Sequence, residues 1–181
     1  MSKRKSIGVA LFGAVWLIAG VGAQNRPPAK SAEQVEFSAE DEGVKAPARI
    51  PDEVWMLLKA DEDVKSALED ENLTGDKPPR SLFSASVVHL HDGAERDLIV
   101  FGEEVMRGAN IQPFWLFVET PKGPRLVAHG SAHDVRILLR RWKGYREIEL
   151  MSATCCTVST TILRFDGEKY VAYQKTSHNI N

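Results

Sequence analysis

TVSTTILRFDGEKYVAY, residues 157–173, decides the fold class more firmly than any other stretch. Thr157 to Phe165 is dense in β-branched residues, which suit a pleated surface. Asp166-Gly167 is a hairpin turn signal, and Tyr170 to Tyr173 is the returning strand. Upstream the same pattern repeats. Arg146 to Leu150 reads as a strand entered through Trp142-Lys143-Gly144-Tyr145. Val135, Ile137 and Leu139 alternate with Arg136 and Arg140, which predicts a strand with one wet face. Arg125 to His129 and Phe114 to Glu119 read as strands around the Pro121-Lys122-Gly123-Pro124 turn. Asp97 to Phe101 and Leu82 to Leu90 are joined through Asp92-Gly93.

The helical signal comes before these strands. Pro51 suits the first position of a helix, and Asp52 and Glu53 suit the positive end of its dipole. Val54, Leu57, Ala60, Val64, Ala67 and Leu68 make one apolar stripe at helical spacing. Asp61 is placed to divide that stripe into two short helices and to cap the second. Gly75-Asp76-Lys77-Pro78-Pro79 ends it. The expectation is an α+β fold. An N-terminal helix, broken in two at Asp61, packs on a mostly antiparallel meander of about seven strands.

The 181 residues include 43% hydrophobic and 27% charged, with 13 Gly, 9 Pro and 2 Cys, which excludes collagen-like, low-complexity and disulfide-scaffold classes. The first residues divide into a cationic cluster, Lys3-Arg4-Lys5, an uncharged run from Ile7 to Ala23, and a small-residue ending, Val21-Gly22-Ala23. That is the tripartite pattern of a secretory signal peptide. The rival reading is a retained anchor, but the run is short for a span of about 20 residues and no cationic cluster follows it. Cleavage near Ala23 predicts a secreted or periplasmic protein that meets the membrane only transiently. It also changes the charge. The formal −2 of the whole chain becomes −5, because 20 basic residues then face 25 acidic ones. Such a balance gives no pull toward nucleic acid, and no nucleic-acid partner is expected. Residues 24–50 are polar and Pro-containing and read as a flexible linker. The predicted single domain covers 51–176, with 177–181 as a tail.

Candidate chemistry is sparse. His89 and His91 stand two apart on a predicted strand, so both rings share one face, and His129 and His133 could complete a zinc or copper site across the sheet. The plainer reading is scattered surface histidines, since no ligand spacing here is diagnostic. Cys155 and Cys156 are adjacent. A trans peptide holds their Cα atoms about 3.8 Å apart, below the usual disulfide range of about 4.4–6.8 Å. A strained ring, free thiols and an intermolecular bridge remain open. The plain reading is one buried and one exposed thiol on opposite strand faces. Arg136, Arg140, Arg141, Lys143 and Arg146 surround Trp142 and Tyr145. Of these, Trp142, Tyr145, Arg140 and Arg146 are the candidate binding residues, and the competing reading is a solvated strand face. No Gly-x-Ser-x-Gly elbow and no phosphate loop occur, so no catalytic residue is assigned and no cofactor is expected.

The ordered series Asp97-Leu98-Ile99-Val100-Phe101-Gly102, Gly108-Ala109-Asn110, Pro113-Phe114-Trp115, Gly144-Tyr145-Arg146-Glu147-Ile148 and Phe165-Asp166-Gly167-Glu168-Lys169-Tyr170 resembles small exported bacterial proteins of unassigned function. The resemblance spans about residues 50–175 and implies export and fold, not catalytic residues. Asp92-Gly93 and Asp97-Leu98 are similar to one integrin-type β-propeller repeat, but His89 and His91 stand where calcium wants oxygen ligands. The expected function is a non-enzymatic domain that binds an envelope or extracellular macromolecule or a glycan. The alternative is a metal-handling protein or hydrolase using the four histidines.

Overall fold

The computed structural model describes residues 33–70, 73, 79–93 and 96–180. The predicted signal segment lies outside them. In chain order the elements are β1 (Glu36–Ser38), α1 (Asp52–Ala60), α2 (Glu62–Asp70), β2 (Phe83–Val88), β3 (Asp97–Gly102), β4 (Gln112–Val118), β5 (Arg125–Ala132), β6 (Asp134–Trp142), β7 (Tyr145–Ala153), β8 (Thr157–Phe165) and β9 (Tyr170–Asn179). The strands form two antiparallel sheets. One has five strands in the order β1-β6-β7-β8-β9, and the other has four in the order β2-β3-β4-β5.

The central strands show why two sheets are needed. In β4, Phe114, Leu116 and Val118 enter one core, and Trp115 and Phe117 enter another. In β3, Ile99 and Phe101 share the first core, and Leu98 and Val100 the second. A strand with both faces apolar needs cover on both sides. The five-stranded sheet covers one side through Phe37, Val135, Ile137, Ile148, Phe165 and Tyr170. The helices cover the other through Val54, Trp55, Leu58, Val64 and Leu68. Truncating a fully buried ring such as Trp115 to Ala would cost about 3–5 kcal/mol.

This corrects the expected fold class. The molecule is mostly β, with nine strands among the described residues, and they do not form one meander. The chain changes sheets at His133, the single residue between β5 and β6. Nor is a helix the first element among the described residues. β1 precedes the helices and pairs with β6, with Phe37 opposite Val135. Phe37 and Ile50 are buried, so part of the stretch read as a linker belongs to the packed fold. At the other end β9 runs through Asn179.

The helix pair follows its local signals. Pro51 stands at the N-cap of α1. Asp61 ends that helix and caps α2, its Oδ1 accepting from the N–H groups of Asp63 at 3.1 Å and Val64 at 3.3 Å. The buried stripe is Val54, Trp55, Leu58, Val64 and Leu68, whereas Leu57 is exposed.

Candidate functional site

Two irregularities in the five-stranded sheet build its outer face. Ile137 pairs with Ile148 and Arg141 pairs with Arg146, so Leu138, Leu139 and Arg140 together oppose Glu147. Such an excess bends a strand and re-aims its side chains. Leu139 is thereby turned into solvent, 89% exposed, although strict alternation from Val135 and Ile137 predicts it inward. The second irregularity lies between β8 and β9. Ile162 pairs with Gln174 and Leu163 with Ala172, leaving Tyr173 as the extra residue.

Between the two bulges a row of side chains crosses four strands. Glu147 on β7 is 1% exposed. It accepts a hydrogen bond from Arg164 Nε at 2.6 Å and another from Arg140 Nε. The Arg164 guanidinium carbon lies 4.6 Å from the centre of the Trp142 ring and 3.4 Å from that of Tyr173. A cation against aromatic faces is attracted by the ring quadrupole. One carboxylate therefore anchors two guanidinium groups, and one of those lies against two aromatic rings. Trp142 is 44% exposed and Tyr173 58% exposed. Val171 pairs with Arg164 and is also exposed, which extends the apolar area along β9.

The four predicted binding residues thus separate. Trp142 and Arg140 belong to the row. Tyr145 stacks on Phe165, with ring centres 3.9 Å apart, and packs against the larger core. Arg146 is buried, and its guanidinium occupies the β6 bulge. It donates to the carbonyls of Leu138 at 2.8 Å and Ile137 at 2.9 Å, and to the Glu33 carboxylate at 3.0 Å. Arg146 holds the bulge in place rather than meeting solvent. Glu147, Arg164 and Tyr173 were not legible as site residues, although the Leu138-Leu139 doublet breaks strand alternation where the bulge occurs.

The histidines pair with separate acids. His89 lies 3.6 Å from Glu33, His91 3.5 Å from Asp97, His129 3.6 Å from Asp63, and His133 3.0 Å from Asp134. Among the described residues, only Asp61, Asp63 and His129 bring three ligand atoms within 4.8 Å of one another. That trio sits at the N-terminus of α2, where the helix dipole disfavours a cation. His89, His91 and His133 do not join it. Asp97 is fully buried and accepts from the N–H groups of Leu90 at 2.8 Å and Glu119 at 3.2 Å. Burial pushes its carboxyl above the ordinary range, against the lowering effect of those N–H groups and of His91. Asp97 thus ties the end of β2 to the end of β4.

Cys155 and Cys156 are both exposed, in the turn between β7 and β8. The predicted split into one buried and one exposed thiol is corrected, because the pair lies past the last β7–β8 pairing, Ala153 with Val158. Among the described residues no helix is long and apolar enough to cross a membrane. Comparison with protein-family models, curated proteins and solved structures finds no match for this chain.

Proposed function

We propose that this chain is an exported, non-enzymatic binding domain whose partner, a macromolecule of the cell envelope, docks on the outer face of the five-stranded sheet. The observation that carries the reading is the pair of exposed rings, Trp142 and Tyr173, set against half-buried Arg164 over buried Glu147. Trp, Tyr and Arg are the residue types that dominate binding energy at protein interfaces. Here they are held in place before any partner arrives, which lowers the entropy lost on docking. A protein partner suits the surface better than a glycan. Val171, paired with Arg164, adds aliphatic area to the row, and β9 forms the edge of the sheet.

The test is capture of envelope proteins by the immobilised chain, compared with a Trp142→Ser, Tyr173→Ser variant. Circular dichroism establishes that the variant is folded. The reading expects a defined protein whose affinity falls at least tenfold in the variant, about 1.4 kcal/mol. Equal capture by both, or retention only of polysaccharide, contradicts it. The alternative of metal handling draws on His129 alone among the four histidines. Elemental analysis of the purified chain decides that reading.

A further inference from the structure

We propose that Cys155 and Cys156 form a reversible dithiol–disulfide site at the tip of the β7–β8 hairpin, oxidised by exchange with a small-molecule disulfide. Their Sγ atoms lie 2.9 Å apart, and both side chains are exposed. A disulfide needs about 2.05 Å, so closure requires a shift of less than 1 Å. The chain holds 2 cysteines, so no third thiol competes within it.

The surroundings permit that shift. The two residues occupy the centre of a turn closed by the Thr154 N–H on the Thr157 carbonyl at 2.9 Å. Thr154 Oγ1 accepts from the N–H groups of Cys156 at 3.4 Å and Thr157 at 3.1 Å. The peptide between the cysteines therefore lies outside the strand ladder. Twisting it disturbs the long Cys156 bond to Thr154 and the bond from the Ile180 N–H to the Cys156 carbonyl. The paired strands are left intact. Adjacent cysteines close a small ring, and strained or exposed disulfides are the labile, regulatory kind rather than structural staples.

The exchange has two steps. The Cys155 thiolate attacks one sulfur of the external disulfide, forming a mixed disulfide and releasing one thiolate. Cys156 then gives up its proton and attacks the Cys155 sulfur, releasing the second thiolate. Both protein thiols are oxidised, one external disulfide is reduced to two thiols, and the two protein protons pass to the released sulfurs. The hydrogen bond with Cys155 raises the Cys156 thiol above its ordinary range. Because the two thiols share that hydrogen bond, the exchange closes the same ring whichever sulfur attacks first.

Equilibration of the full chain in glutathione buffers, followed by alkylation and intact mass spectrometry, tests this. The expected oxidised species is a monomer two hydrogens lighter, resistant to alkylation and restored by a phosphine reductant. A Cys156→Ser variant is expected to stop at a glutathione adduct on Cys155. Three results overturn the proposal: a disulfide-linked dimer as the main product, stable glutathione adducts on the unmodified sequence, or two alkylatable thiols at every redox poise.

Discussion

Replacing Arg146 with Met removes a buried cation while keeping an unbranched apolar stem. The guanidinium donates to the carbonyls of Ile137 and Leu138, where the β6 bulge begins. It also pairs with Glu33 at 3.0 Å. A buried carbonyl left without a donor costs about 1–3 kcal/mol. Two such groups, with Glu33 losing its cation, give a total of about 3–5 kcal/mol, the scale found when one partner of a buried pair is removed. In urea, with a slope of about 1–3 kcal/mol/M, the midpoint should fall by roughly 2 M at unchanged slope. Adding Glu33→Gln should cost less than it does in the wild-type background, because the two residues are coupled. A loss below about 1 kcal/mol would refute the assignment of Arg146 to the bulge. Loss of partner binding with full stability would restore Arg146 as a surface contact residue.

Two further perturbations probe other parts of the fold. Asp61→Ala removes the cap of α2, and unfolding should show a loss of about 1 kcal/mol. If stability is unchanged, the Asp61 carboxylate is not the cap it resembles. Asp97→Asn addresses pH. Because burial raises the Asp97 carboxyl above its ordinary value of 3.8, its proton is held more tightly in the folded state. Its contribution is therefore complete below about pH 3.8 and is lost as pH rises through the higher folded value. Wild-type stability should decline relative to Asp97→Asn as the pH of urea titrations is raised from acid toward neutrality. A difference that is flat, or that moves in favour of wild type, would count against this.

The fold was legible where the chain obeys one period and obscure where it changes period. Strands from β2 to β9 have clear sequence signatures because β-branched and aromatic runs are bounded by turn residues. Their division into two sheets has no comparable signature. The crossing at His133 spends one residue and no Gly or Pro, so nothing marks β5 and β6 as belonging to different sheets. The unbroken apolar runs Leu98 to Phe101 and Phe114 to Val118 were the better clue. A meander with helices on one side covers one face only, whereas these residues enter two cores. β1 is three residues long, and only Phe37 betrays it.

The candidate surface was legible by half for a related reason. Trp142 and Arg140 stand out as an aromatic and a cation close together in sequence. Glu147 does not, because an acid within a strand reads as solvated until its neighbours across the sheet are known. Its burial is sustained by Arg140 and Arg164, which come from strands on either side of β7. A carboxylate is kept out of water only when paired and hydrogen-bonded. The two arginines must therefore lie down against the sheet, and Arg164 then lies against Trp142 and Tyr173. The order of cause runs from the buried acid outward, so the exposed aromatics are positioned by a residue that no partner needs to touch. The two bulges bend the sheet at either end of this row, at Arg140 in β6 and at Tyr173 in β9. A surface of this kind is specified by strand register across β6 to β9 rather than by any local motif.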